Sequence, residues 1–97
     1  MIKVKTSENE IIIRGHANFD NYGKDIVCAA VSSIVTACVN DIHIVNANAL
    51  NYEDDGKTIT IEIIKEDEVV NKLLNNMILL LENLEKDYKD YIKIIRR

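Results

Sequence analysis

The sequence has no proline and no tryptophan, and its 97 residues include only three glycines and two cysteines. The lack of proline and the scarcity of glycine exclude collagen-like repeats and flexible Pro- or Gly-rich linkers. Two cysteines are too few for a disulfide scaffold. The apolar run from Met77 to Leu81 is far too short to cross a membrane. We therefore expect a soluble, cytoplasmic protein with no membrane partner.

The charge balance is mildly acidic, with 16 acidic and 12 basic residues and a formal net charge of -4. This balance argues against a protein that covers nucleic-acid phosphates, so we expect no direct nucleic-acid partner. It leaves a basic protein or peptide open as a partner. The length supports one domain, over residues 1–97, and the 47% of hydrophobic residues suffices for one core.

The pattern of apolar residues predicts an α+β fold with the order ββ-α-ββ-α-β. One helix is predicted from Asp25, as N-cap, to about Ile42 or Ile44, and another from the acids Glu66-Asp67-Glu68 to about Tyr88. We expect a mixed or antiparallel sheet with both helices packed on one face. The predicted strands are Ile2–Thr6, Glu10–Gly15, Ala49–Glu53, Thr58–Ile64 and Tyr91–Arg96.

The first predicted helix is apolar on nearly all its faces, which is typical of a buried central helix. A column of small polar residues recurs on it at every fourth position. Both cysteines lie on this helix, ten residues apart, so they are about 15 Å from each other and cannot form a disulfide. The members of the column are Cys28, Ser32, Thr36 and Asn40.

Cys28 is predicted to be the third residue of this helix, with Asp25 as its cap. The free N–H groups and the dipole of a helix N-terminus stabilise a thiolate, and such N–H groups can also hold the oxyanion of a tetrahedral intermediate. His16 ends the second strand, and the following loop is long enough to bring its imidazole to Cys28. A cysteine in an apolar helix is more often inert core, and a lone histidine is more often a surface residue.

Two short blocks of the sequence resemble the signature of the bacterial ribosomal-processing cysteine proteases. One block is Gly15-His16-Ala17 through Tyr22-Gly23, and the other is Asp25-Ile26-Val27-Cys28-Ala29 and on to Ser32. The resemblance implies that His16 and Cys28 form a catalytic dyad and that the active protein is a homodimer. It also implies that the loop from Ala17 to Lys24 closes over a peptide. The implied substrate is the N-terminal extension of protein twenty-seven of the large ribosomal subunit.

Three further residues are candidates for substrate binding. Asp25 can orient His16 or a substrate amide, and it can also act simply as the N-cap. Ser32 lies one turn after Cys28, where it can hydrogen-bond near the site or allow tight packing. Tyr22 can line a substrate cleft or be half-exposed packing. Cys38 and His43 cannot close a tetrahedral zinc site, and we expect neither a metal nor an organic cofactor.

The leading hypothesis is thus a cysteine endopeptidase that acts on an extended, basic ribosomal protein tail. Two alternatives stay open at this stage. One is a non-catalytic, dimeric adaptor on the ribosome in which Cys28 is inert. The other is a thiol redox sensor, although Cys28 has no resolving cysteine within reach along the helix.

Overall fold

The computed structural model describes residues 1–21, 24–65 and 67–96. Each predicted strand and helix is present, and only the ends differ from the prediction by a few residues. The strands are β1 (Ile2–Thr6), β2 (Glu10–Arg14), β3 (Leu50–Asp54), β4 (Thr58–Ile63) and β5 (Ile92–Arg96). The helices are α1 (Ile26–Val45) and α2 (Glu68–Asp87).

The five strands form one mixed sheet in the order β3-β4-β2-β1-β5. β1 pairs with β2 as an antiparallel hairpin, and β4 pairs antiparallel with both β2 and β3. β5 returns from α2 and lies parallel to β1 at the edge of the sheet. Of the two predicted arrangements, the mixed sheet is therefore the one that forms, since a helical crossover allows a parallel neighbour.

One face of the sheet carries the core. Apolar and charged residues alternate along β1, so Ile2 and Val4 are buried while Lys3 and Lys5 are exposed. The buried side chains of the other strands and of both helices join Val4 in a single hydrophobic cluster. The opposite face of the sheet is left open, and its residues are considered further below.

α1 is buried along one face only, so the prediction of a helix buried on most sides was wrong. Its buried residues recur every three to four positions, as expected for packing on a sheet. On its outer face, Ile26 is 52% exposed and Ile44 is 77% exposed. The apolar character of this outer face therefore needs an explanation other than the core. The buried residues of α1 are Val27, Val31, Val35, Val39 and Ile42.

α1 is also long and apolar enough to cross a membrane by length and composition alone, with a mean hydropathy of 1.6. Its buried face, however, belongs to the same hydrophobic cluster as the strands and α2. A helix that supplies one side of a folded core meets the same length and composition criteria. We therefore interpret α1 as the core helix of the fold.

Gly15 makes the turn from β2 toward the loop that precedes α1. Its φ is 98°, and a Cβ atom built there would lie 2.6 Å from the carbonyl oxygen of Met1. Only glycine tolerates both this conformation and this approach to the backbone. This close contact with Met1 fixes the direction of the backbone between Gly15 and His16.

Candidate active site

Asp25 caps α1 and places Cys28 in its first turn. The Asp25 Oδ1 atom accepts hydrogen bonds from the backbone N–H groups of Val27 and Cys28, both at 3.0 Å. The predicted N-cap is thereby confirmed, and Cys28 is the third helical residue. Its side chain is only partly buried, so the sulfur lies at the surface end of the helix rather than in the core.

The backbone donor at the Cys28 sulfur is not one of the helix N–H groups that the sequence predicted. Because Val27 N–H and Cys28 N–H already donate to Asp25, they are not free to hold an oxyanion. Instead, the N–H of Ala17 donates to Cys28 Sγ at 3.3 Å. This bond joins the loop to the helix and brings the residue after His16 into direct contact with the sulfur.

The second carboxylate oxygen of Asp25 extends the same network into the loop. Oδ2 accepts a hydrogen bond from the N–H of Phe19 at 3.0 Å. Burial acts to raise the pKa of Asp25, but the bonds from the N–H groups of Cys28, Phe19 and Val27 and from the Cys28 thiol hold it below its ordinary value. Asp25 is thus ionised near neutral pH and connects the loop, the helix end and the thiol.

The loop is also attached to the C-terminal part of the chain. The Phe19 ring packs edge-on against Tyr88 and Tyr91, with centroid distances of 5.5 and 5.0 Å. Asn18 adopts a positive φ of 56°, which asparagine tolerates better than most residues. The described part of the loop is therefore held at three points, by the Cys28 thiol, by the Asp25 carboxylate and by the two tyrosine rings.

Cys28 and His16 face two cavities, one on either side of them. The larger, of about 610 Å³, is lined by both residues and by Asp20 and Asp25. The smaller, of about 210 Å³, has a mostly apolar lining on the other side. Ser32 lines both cavities, so four of the five residues predicted for the site lie around the larger cavity. The apolar members of the smaller cavity are Ile2, Ile13, Val31 and Ile59.

The tip of the β3–β4 hairpin forms the outer wall of the smaller cavity, and sequence reasoning missed it. Asp54, Gly56 and Lys57 line this cavity together with Cys28. The sequence did predict a tight Asp-Gly turn here. Its position depends on the pairing of β4 with β2, in which Thr58 lies opposite Arg14, and that long-range pairing leaves no local signal.

Tyr22, the remaining predicted substrate-binding residue, lies outside the described residues. Cys38, the second cysteine, lies away from the cleft. Its thiol donates to the carbonyl oxygen of Leu73 at 3.4 Å, which links α1 to α2. Burial, with a smaller contribution from Asp41, raises the pKa of Cys38 from 9.0 to about 11. The burial and the bond to Leu73 identify Cys38 as a structural residue.

Comparison with known proteins agrees with this geometry. The family model described as cysteine protease Prp matches residues 1–93. The ribosomal processing cysteine protease Prp of Bacillus subtilis is 34% identical over 87 residues, which cover 82% of this chain and 78% of that protein. The Staphylococcus aureus protein of the same name is 30% identical over 88 residues, or 88% and 83% of the two chains.

Two solved structures share the fold. The S. aureus ribosomal processing protease Prp, crystallised with a covalently linked product peptide, superposes with a TM-score of 0.81 at 25% identity. The superposition covers 99% of this chain and 97% of that one. A substrate-peptide complex of the same protease gives a TM-score of 0.74 at 24% identity over the same shares. The chain therefore belongs to the Prp family and is a cysteine protease.

Proposed function

We propose that Cys28 and His16 are the nucleophile and the proton carrier of a ribosomal-protein-processing protease. The observation that carries the assignment is the hydrogen bond from Ala17 N–H to Cys28 Sγ, because it brings the His16 segment to the sulfur. Of the two cysteines, Cys28 lines both of these cavities together with His16. The non-catalytic adaptor considered from sequence does not agree with membership of a protease family.

The chemistry needs only these two side chains, the substrate and water. Cys28 Sγ attacks the scissile carbonyl carbon while His16 accepts the thiol proton. The C–N bond then breaks, His16 returns that proton to the leaving amine, and a thioester is left on Cys28. Water adds to the thioester with His16 as base, which releases the acid and restores the thiol. The N–H of Ala17, the backbone donor nearest the sulfur, stabilises the thiolate as it forms.

The two cavities favour a peptide substrate that carries both an apolar side chain and basic residues. The smaller cavity has the volume and lining for one apolar side chain. The larger one carries the carboxylates of Asp20 and Asp25, and no lysine or arginine lies among its described lining residues. These carboxylates attract a cationic peptide.

The proposed substrate is the N-terminal extension of protein twenty-seven of the large ribosomal subunit. Two observations support it. Relatives from B. subtilis and S. aureus are named ribosomal processing proteases, and the S. aureus protease has been crystallised with a substrate peptide. The acidic cavity suits the basic composition that ribosomal proteins need to bind RNA. We place the reaction in the cytoplasm, where an unpaired Cys28 thiol stays reduced.

We also propose that the active protein is a homodimer that pairs through the outer face of α1. Ile26, Ser33, Ala37 and Ile44 follow one another at helical spacing on this face, and all four are exposed. Small residues in the middle of the stripe allow a second helix to approach closely. A two-fold axis through the stripe would bury both copies of it at once.

The decisive experiment is incubation of the purified protein with ribosomal protein twenty-seven that carries its extension, followed by intact-mass analysis. We expect Cys28→Ala to abolish cleavage and His16→Ala to slow it at least about 100-fold. The chain offers a matched control for each, because Cys38→Ala and His43→Ala remove the second cysteine and the second histidine of the sequence, both of which lie on α1. Turnover that survives in Cys28→Ala, or an equal loss in Cys38→Ala, would overturn the assignment.

A further inference from the structure

The open face of the sheet separates its charges into two halves. On the β1 side, Lys3, Lys5, Arg14 and Lys93 are all exposed. On the β3 and β4 side the same face carries acids, of which Glu10 and Glu62 lie opposite each other in the register. The net charge of -4 therefore averages over two regions of opposite sign.

Three of the cations occupy one row across the strands. Lys3 pairs with Arg14 on one side and with Lys93 on the other, so like charges are direct neighbours twice. Neighbouring strands lie about 4.8 Å apart, so the row spans roughly 10 Å. Like charges directly opposite each other destabilise a sheet. The row therefore costs stability in the isolated protein, and an anionic ligand would remove that cost.

None of the four cations is neutralised within the described part of the chain. The ion pairs there are Lys72 with Glu68 and Arg96 with Glu82, and both lie elsewhere. A groove of about 480 Å³ runs along β1 and β2 on this face, lined by three of the four cations, by Met1 and Ile12, and by one carboxylate, that of Glu10. We call Lys3, Arg14 and Lys93 the basic row. Its neighbour is Lys5, which lies two residues further along β1.

We propose that the basic row and its neighbour bind the phosphate backbone of RNA. A protein partner would need an apolar centre with large anchoring side chains. Among the described residues, this half of the face offers Ile12, Ile95 and the partly exposed Met1, and no aromatic side chain lines its groove. A phosphate backbone requires cations at regular spacing and nothing more. The same absence of aromatic side chains argues against stacking on unpaired bases, so a duplex is the expected form.

The acidic half of the face sets the orientation of the bound RNA. Glu10, Glu53 and Glu62 repel phosphates, so the backbone is confined to the β1 side. Arg14 directly precedes Gly15 and His16, and the basic row thus ends beside the catalytic cleft without lining it. The net charge alone predicted that the protein has no nucleic-acid partner. For this one face of the sheet, the proposal replaces that prediction. It does not depend on the identity of the peptide substrate.

The test is fluorescence anisotropy with a labelled RNA hairpin of at least one helical turn, over a range of salt concentrations. Four phosphate contacts predict a slope of log K against log salt between about -3 and -4. Binding should therefore weaken by about 30- to 80-fold between 50 and 150 mM salt. A flat salt dependence or no binding at the lower salt would overturn the proposal.

Two triple variants with the same net charge test the location. Lys3→Gln/Arg14→Gln/Lys93→Gln removes the row, and Lys65→Gln/Lys86→Gln/Lys89→Gln removes three exposed lysines elsewhere. We expect the first to weaken RNA binding at least tenfold and the second less than threefold, with peptide cleavage unchanged in both. The row variant should unfold at the same or a higher temperature than wild type, because the like-charge contacts are gone.

Three outcomes would contradict the proposal. Equal losses in the two variants would show diffuse attraction rather than a site. Binding of a polyglutamate peptide as tight as that of the RNA would assign the surface to an acidic protein. A change in the native mass of the row variant would assign it to a second copy of this chain.

Discussion

At the scale of single residues, the two cysteines of α1 differ in what surrounds their sulfur atoms. Cys28 Sγ accepts the N–H of Ala17 beside an open cavity, whereas the Cys38 thiol is half-buried and donates to Leu73. One sulfur is thus accessible to substrate and the other is held in the contact between α1 and α2. The sequence separated them by position, with Cys28 in the first turn of the predicted helix and Cys38 ten residues later, but it could not show which groups contact each sulfur.

The pKa of about 11 at Cys38 predicts a pH-dependent reactivity and stability. The folded protein holds the thiol proton more tightly than the unfolded chain does, so stability that is complete below pH 9 should fall as the pH rises toward 11. The Cys38→Ala variant should lose less stability over this range, and part of the remaining fall comes from Tyr52, whose pKa is also raised by burial. Iodoacetamide at pH 8, followed by peptide mapping, should modify Cys28 and leave Cys38 intact. Equal modification of both cysteines in the folded protein would contradict the assignment.

Comparison of the two N-cap residues distinguishes helix capping from a role in the active site. Asp67 caps α2 by accepting from Val69 and Val70, just as Asp25 caps α1, but only Asp25 also bonds the loop and the thiol. We expect Asp25→Ala and Asp67→Ala each to lower the free energy of unfolding by about 1 kcal/mol. Only Asp25→Ala should also reduce turnover, by tenfold or more. Equal activities in the two variants would show that Asp25 is a cap and nothing else.

Gly15 and Gly56 offer a second matched pair. Both have a positive φ, but a Cβ at Gly15 meets the Met1 carbonyl oxygen whereas one at Gly56 meets nothing within 4 Å. Alanine at Gly56 should cost about 1–2 kcal/mol for its backbone conformation alone. Alanine at Gly15 should cost at least about 1 kcal/mol more and should lower turnover, because His16 follows directly. Urea unfolding and a peptide assay measure both, and identical costs would exclude the close contact as the reason for glycine.

At the scale of elements, local sequence patterns predicted all five strands and both helices. The β-branched run Ile11-Ile12-Ile13, the Asp-Gly turn and the stripe on α2 all specify their own structure. What they did not predict is which face of α1 is buried. That depends on how far the sheet extends beneath the helix, and α1 is apolar on both sides. The hairpin wall of the smaller cavity was missed for a related reason, since its position follows from the pairing of β4 with β2.

The loop between His16 and Cys28 is the element whose motion bears on catalysis. We expect it to open and close over the peptide, with Phe19 as its anchor on Tyr88 and Tyr91. Phe19→Ala should increase hydrogen exchange at Ala17 through Asn21 and reduce turnover severalfold, although it removes no catalytic group. Hydrogen exchange of the Cys28→Ala variant, with and without peptide, measures the closure directly. Strong protection of this segment without peptide would show a preformed lid.

At the scale of the whole molecule, the exposed apolar stripe on α1 predicts the oligomeric state. Ile44→Glu places a charge at its most exposed large residue and should convert a dimer into single chains at micromolar concentration. Leu79→Glu, on the exposed side of α2, is the matched control and should leave the mass unchanged. The native mass of each variant is measured by sedimentation or light scattering. A wild-type mass of one chain would refute the dimer, and dissociation by Leu79→Glu would move the interface to α2.

The packing of Phe19 on two tyrosines close to β5 has a consequence for biosynthesis. The rings that hold the catalytic segment, and the strand that flanks β1, are translated after that segment. A chain that stops short of Tyr88 has His16, Cys28 and the loop bonds from Ala17 and Phe19, but it lacks the aromatic contact that ties the loop to the rest of the fold. We therefore expect a nascent or truncated protease to be less active than one whose Tyr88 and Tyr91 have been translated.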